Sequence, residues 1–162
     1  MITITTWNMK GGTGKTTTTF NLATNYARAG KKVLCIDLDI QANLTAFFEK
    51  DMHKRKADIK QVLEKSVSVD KAICHSRHSV DFISGCNKKI NVTDVFQLSK
   101  ALDVVKDQYD ICCIDCHPDN SLLSENALAM ADIVLIPVLL DGFSRDNLNL
   151  VVEEIINLGD LT

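Results

Sequence analysis

A chain of 162 residues, 46% hydrophobic and 24% charged, is the length of one domain and can bury a real core, which excludes disordered and collagen-like architectures. Its net charge of −3, from 18 basic and 21 acidic side chains, gives no global drive toward nucleic acid, so DNA binding is unsupported by charge. The longest apolar stretch, DIVLIPVLLDGF, is interrupted by Pro137 and falls short of the roughly 20 residues a membrane span needs, and MITITTW lacks the basic start of a signal peptide; a cytoplasmic protein without membrane attachment is the expectation.

In chain order, ITITTWN alternates and is rich in β-branched residues, which predicts a strand of about six residues running into a glycine loop. A helix over 16–29 follows, with Phe20, Ala23 and Ala27 on one stripe and Gly30 as its stop. Val33 to Ile36 is a continuous apolar run ending in acids, the pattern of a strand covered on both faces. Short helices are expected near 44–48 and 58–65, with a weak segment around 69–74. SVDFISG reads as a strand, DVFQLSKALDVVKDQ as an amphipathic helix, and YDICCIDCHP as a buried strand closing on Asp115. SLLSENALAMA then reads as a helix, DIVLIPV as another buried strand, and SRDNLNLVVEEIINL as a final helix. The basic stretch KDMHKRKADIK, at 50–60, reads as a solvated loop and helix start.

Strands separated by helices, with near-continuous apolar runs, specify an α/β fold with a mostly parallel sheet and helices on both faces. Ligand then belongs at the carboxyl edge of the strands. Cys35, Cys112 and Cys113 fall within buried strands, where cysteine acts as a small apolar residue. Neither CHSRHSVDFISGC nor CCIDCH has the paired spacing of a zinc site, and a disulfide framework is not expected.

The segment NMKGGTGKTTTT, residues 8–19, lies between the first strand and the first helix. Gly11, Gly12 and Gly14 let the backbone turn its N–H groups inward at an anion, and the helix beginning near Lys15 adds its positive end. Lys15 would reach the β- and γ-phosphates of a nucleotide, and the Thr16 hydroxyl would ligate Mg²⁺. The bland alternative is a tight strand-to-helix turn with a threonine cap. Met9 stands where the common loop pattern has glycine, and Lys10 is a second lysine inside the loop. Asp115 ends an apolar strand, where a carboxylate needs a charged or hydrogen-bonding partner; Asp37 and Asp39, alternating in IDLDIQAN, can both face the loop.

KGGTGKTT, DLDIQAN, YDICCID and NALAMADIVLIPV, in this order from Ile2 to about Ile156, together resemble the ParA/MinD family of deviant Walker A ATPases, including its Soj-like members. The resemblance implies a P-loop NTPase-type fold and a partition ATPase that binds ATP or ADP with Mg²⁺, dimerises with ATP and hydrolyses it slowly. Gly11, Gly12, Thr13, Gly14, Lys15, Thr16 and Thr17 would hold the phosphates. Thr16, Asp37 and Asp115 would serve the metal, with Asp115 as the Walker B carboxylate. Asp39 would orient the attacking water. The signature lysine aligns with Lys10, whose implied role is to enter the partner's site in an ATP-sandwich homodimer. A ParB-like or other protein partner is implied as well.

Some positions depart from that family. Ile40 and Ala42 replace the proline and glycine of the D-x-D-P-Q-G-N pattern, and His117-Pro118 stands where two prolines are common. His117 either touches the γ-phosphate region or fills the turn, the turn being the favoured reading. At 162 residues the chain is expected to be a single domain lacking the family's usual C-terminal extension. Two other functions stay open: a nucleotide-gated interaction module with little hydrolysis, and an iron-protein-like reductase, which needs cysteines across a dimer face.

Overall fold

The computed structural model describes residues 1–48, 57–139 and 144–159; residues 50–56 of the basic stretch lie outside them. Strand β1 (Ile2–Thr6) leads through the glycine loop into helix α1 (Lys15–Arg28), and β2 (Val33–Asp37) follows. Helices α2 (Asn43–Phe48), α3 (Ile59–Leu63) and α4 (Val69–Ala72) precede β3 (Ile73–His75) and β4 (Asp81–Ile83). Helix α5 (Gln97–Leu102), a 3₁₀ turn (Lys106–Gln108), β5 (Ile111–Asp115), α6 (Leu122–Ala129), β6 (Ile133–Leu135) and α7 (Ser144–Gly159) complete the order.

The strands form one sheet in the order β3-β4-β2-β5-β1-β6, parallel except for the antiparallel β3–β4 pair. Successive residues of the strands point to opposite faces, and the core divides accordingly. Leu34, Ile36, Cys112 and Ile114 pack with α3 to α7 on one face, while Val33, Cys35, Ile111 and Cys113 pack with α1 and α2 on the other. Phe20, Phe48 and Phe82 pack in sequence on that second face, with ring centroids 5.2 and 5.4 Å apart.

The doubly covered, mostly parallel sheet expected from the apolar runs is the observed fold. Three expectations need correction. The helix expected over 94–108 is short: Asp94 starts the turn by accepting from the Phe96 and Gln97 N–H groups, and Val105 N–H bonds back to Leu102 in 3₁₀ fashion. The adjacent β-branched residues Val104 and Val105 favour that early end. The weak segment at 69–74 resolves into one helical turn and an edge strand. Finally, β6 is not buried; among the described residues it pairs only with β1, and Ile133 is half exposed.

Register fixes what meets at the carboxyl edge. Asp115, on central β5, is directly opposite Thr6 of β1 and Asp37 of β2. Beyond the strands, Leu38 N–H donates to Asp115 O and Cys116 N–H to Thr6 O, so the same three chains remain tied as they enter their loops.

Candidate functional site

The glycine loop curls at the end of β1. Asn8 is fully buried and braces it: its Oδ1 accepts from Lys10 N–H at 2.9 Å, and its Nδ2 donates to Pro137 O at 2.8 Å. Gly12 and Gly14 adopt φ of 74° and 91°, the left-handed region that disfavours a side chain. Gly14 caps α1 without any side-chain hydrogen bond, and the first turn carries no acid. The 14-residue α1 therefore presents its positive end and free N–H groups to the loop. Met9, where the common pattern has glycine, packs against the core. Lys10 and Thr16 are half-buried, Thr13 is buried, and Gly11, Gly12 and Thr17 are exposed at the rim.

Lys15 is buried, and its Nζ donates to Lys10 O at 3.0 Å. Burial lowers its pKa, opposed by the nearby Asp115 and Asp39 carboxylates. Opposite it, Asp115 is fully buried, and among the described residues neither of its oxygens has a well-formed hydrogen bond, although the Thr16 hydroxyl stands close by; Thr6 Oγ1, its neighbour in register, is unpartnered as well. Burial pushes the Asp115 carboxyl up to about 7, the nearby Thr16 hydroxyl acts in the opposite direction, and Asp37 and Asp39 add to the rise. A buried carboxylate left without donors is costly. A cation at this position would relieve that cost, so the orphaned oxygens fit Mg²⁺, which binds through one or two protein oxygens together with substrate phosphates. No group of three or more His, Cys, Asp and Glu side chains forms a metal cluster among the described residues, and such an ion does not require one.

Asp37 is differently placed. Its Oδ2 accepts from the Thr45 N–H (2.8 Å) and hydroxyl (2.7 Å), and its Oδ1 from Asp39 N–H (3.1 Å). Burial still raises it to about 6, with those hydrogen bonds pulling it down. Gly85 passes so near that a Cβ there would lie 2.9 Å from Asp37 Cγ, and its N–H donates to Thr45 Oγ1. Asp39 begins the following turn: Oδ1 accepts from Gln41 N–H at 2.9 Å, and Ala42 N–H donates to Asp39 O. Ala42, where the resembling family has glycine, holds φ of 52°.

Lys15, Thr16, Asp37, Asp39 and Asp115 thus converge at one edge of the sheet. Two polar residues, only the first of them at this edge, escaped the sequence reading in their actual roles. His117, read as turn filler, places Nδ1 2.9 Å from Asp39 Oδ1 across 78 positions of chain. Asn126, fully buried, accepts from Leu98 N–H and donates to Asp94 O, joining α5 to α6. The six cysteines are free thiols, and Cys35, Cys112 and Cys113 are buried in their strands.

The AAA domain family model matches residues 1–161. Among curated proteins, the sporulation initiation inhibitor protein Soj of Bacillus subtilis is 33% identical over 155 residues, covering 88% of this chain and 60% of that one. A plasmid partition protein of Borrelia burgdorferi, solved bound to AMPPNP, superposes with a TM-score of 0.88 at 29% identity, over 98% of this chain and 69% of that one. The cobyrinic acid a,c-diamide synthase of Mycobacterium smegmatis, solved with ADP and magnesium, gives a TM-score of 0.92 over 100% of this chain and 69% of that one, but at 23% identity this likeness is one of fold alone. The chain spans 51% to 61% of the length of such curated relatives.

Proposed function

The chain belongs to the ParA/MinD-like family of partition ATPases, and on that premise we propose that its glycine loop binds ATP or ADP with Mg²⁺ and that ATP-dependent dimerisation and slow hydrolysis control a protein partner, ParB-like or other. The cargo class is a plasmid, chromosome or mobile element. One observation carries the reading: a helix N-terminus without a side-chain cap faces a buried carboxylate whose two oxygens have no well-formed hydrogen bond among the described residues. The first suits phosphate and the second suits a cation, and both lie at the same sheet edge.

In this reading the Gly11 to Thr17 backbone holds the phosphates, and Lys15 transfers its ammonium from Lys10 O to a phosphate oxygen. Thr16 and Asp115 hold Mg²⁺, which supplies positive charge against the phosphate oxygens. Asp37, already committed to Thr45 and Asp39, keeps the loop in place and supports the metal's surroundings. Asp39 orients the attacking water. Lys10 acts across a homodimer, adding its charge to the second copy's phosphates, so that hydrolysis times the association.

Calorimetry with ATP and ADP, paired with phosphate release and sedimentation in Mg²⁺, tests this. Binding of both nucleotides, dimerisation with ATP alone and measurable release are expected. Tight binding without release would instead support a nucleotide-gated interaction module, and absence of binding would end the reading.

A further inference from the structure

We propose that His117 is a positioning residue for Asp39, fixing the carboxylate that the proposed function assigns to the attacking water, and the inference rests on that assignment. His117 leaves β5 two residues after Asp115 on a loop pinned from several sides. Asp119 N–H donates to His117 O at 2.9 Å, the Trp7 indole N–H donates to Asp119 O at 3.0 Å, and Asp119 Oδ1 accepts from the Ser121 and Ser124 hydroxyls. Pro118 further restricts the backbone of His117. The imidazole therefore projects from a rigid support. Asp39, by contrast, sits in a turn that must hold Ala42 in the left-handed region.

The contact itself is specific. A carboxylate only accepts, so Nδ1 of His117 carries the proton it donates to Asp39 Oδ1 at 2.9 Å. The same oxygen accepts from Gln41 N–H. Two donors converging on Oδ1 set the plane of the carboxylate and leave Oδ2, which neither of them engages, as the oxygen assigned to the water. Both side chains are mostly buried, 27% exposed for His117 and 10% for Asp39, so solvent competes little for the bond. A proline at position 117 would have no donor to offer Asp39.

The test compares ATP turnover in parent, Asp39→Ala, His117→Ala, His117→Asn, His117→Gln and the Asp39→Ala/His117→Ala double variant. The Asn amide nitrogen occupies the place of Nδ1, whereas the Gln amide reaches toward Nε2. A misdirected water lowers turnover rather than binding. The expected result is a kcat for His117→Ala about 10-fold below parent with KM changed less than about 2-fold. His117→Asn restores most of it and His117→Gln does not, and His117→Ala adds nothing once Asp39 is gone. If His117→Ala folds poorly, the Asn and Gln comparison decides. Equal turnover for those two, or a His117→Ala defect confined to KM or persisting in the Asp39→Ala background, overturns the inference. An Asp39→Ala variant that turns over like the parent, or a parent with no turnover, removes the assignment of Asp39 itself. A slow Asp39→Ala beside a parent-like His117→Ala removes only the role of His117.

Discussion

Replacing Asp115 by asparagine removes a charge while keeping shape, and its effect on stability depends on pH in a direction the structure dictates. Burial raises the folded-state pKa from 3.8 to about 7. A carboxyl raised in this way binds its proton more tightly when folded, so its contribution is fully present below the unfolded value and is lost as pH rises through the folded one. That rise corresponds to about 4 kcal/mol of destabilisation once the group is ionised in both states. Asp115→Asn escapes that loss. In urea unfolding with a chelator present, the stability of Asp115→Asn relative to the parent should grow by about 2 to 3 kcal/mol between about pH 5 and about pH 8, the part of the loss that falls within that window. Millimolar Mg²⁺ should recover part of the parent's deficit at the higher pH and leave the variant unmoved, because only the parent offers the cation an ionised carboxylate. A stability difference independent of pH would refute the claim that Asp115 is a donor-starved buried acid.

Three further outcomes follow from the same geometry. Lys15→Ala should weaken ATP binding by about 100-fold in calorimetry, the scale of one or two charge-assisted hydrogen bonds lost. Ala42→Gly should be neutral or stabilising by up to about 1 kcal/mol in urea unfolding, because relief of a left-handed alanine offsets the added freedom of the unfolded chain. Asn126→Ala should cost about 2 kcal/mol, seen as a melting temperature lower by about 5 °C, since the Leu98 N–H is left buried without its acceptor.

How much of this could be read in the residues differs by feature. The apolar runs of β2 and β5 declared a sheet covered on both faces because period-two placement needs no long-range information. The glycine loop declared itself because left-handed backbone and a helix start are local demands, met by Gly12, Gly14 and Lys15. Asp115 stood out as an acid closing an apolar strand. Its register beside Asp37 and Thr6 did not, since strand order is a tertiary property. The short α5 was masked by an amphipathic pattern that continued past the point where Val104 and Val105 turn the chain. The His117–Asp39 and Asn126–Leu98 contacts join residues 78 and 28 positions apart, and no local spacing rule reaches that far.

The central claim is that the loop from Gly11 to Thr17 holds the phosphates of ATP and that Lys10 serves a second copy of the chain. A crystal structure of the Asp39→Ala variant with ATP and Mg²⁺ tests it most directly. The expected result is a dimer with the phosphates against the N-terminus of α1, the metal held by Thr16 and Asp115, and each Lys10 ammonium on the other copy's phosphates. Phosphates seated elsewhere, or a nucleotide-bound dimer with Lys10 turned to solvent, would contradict it.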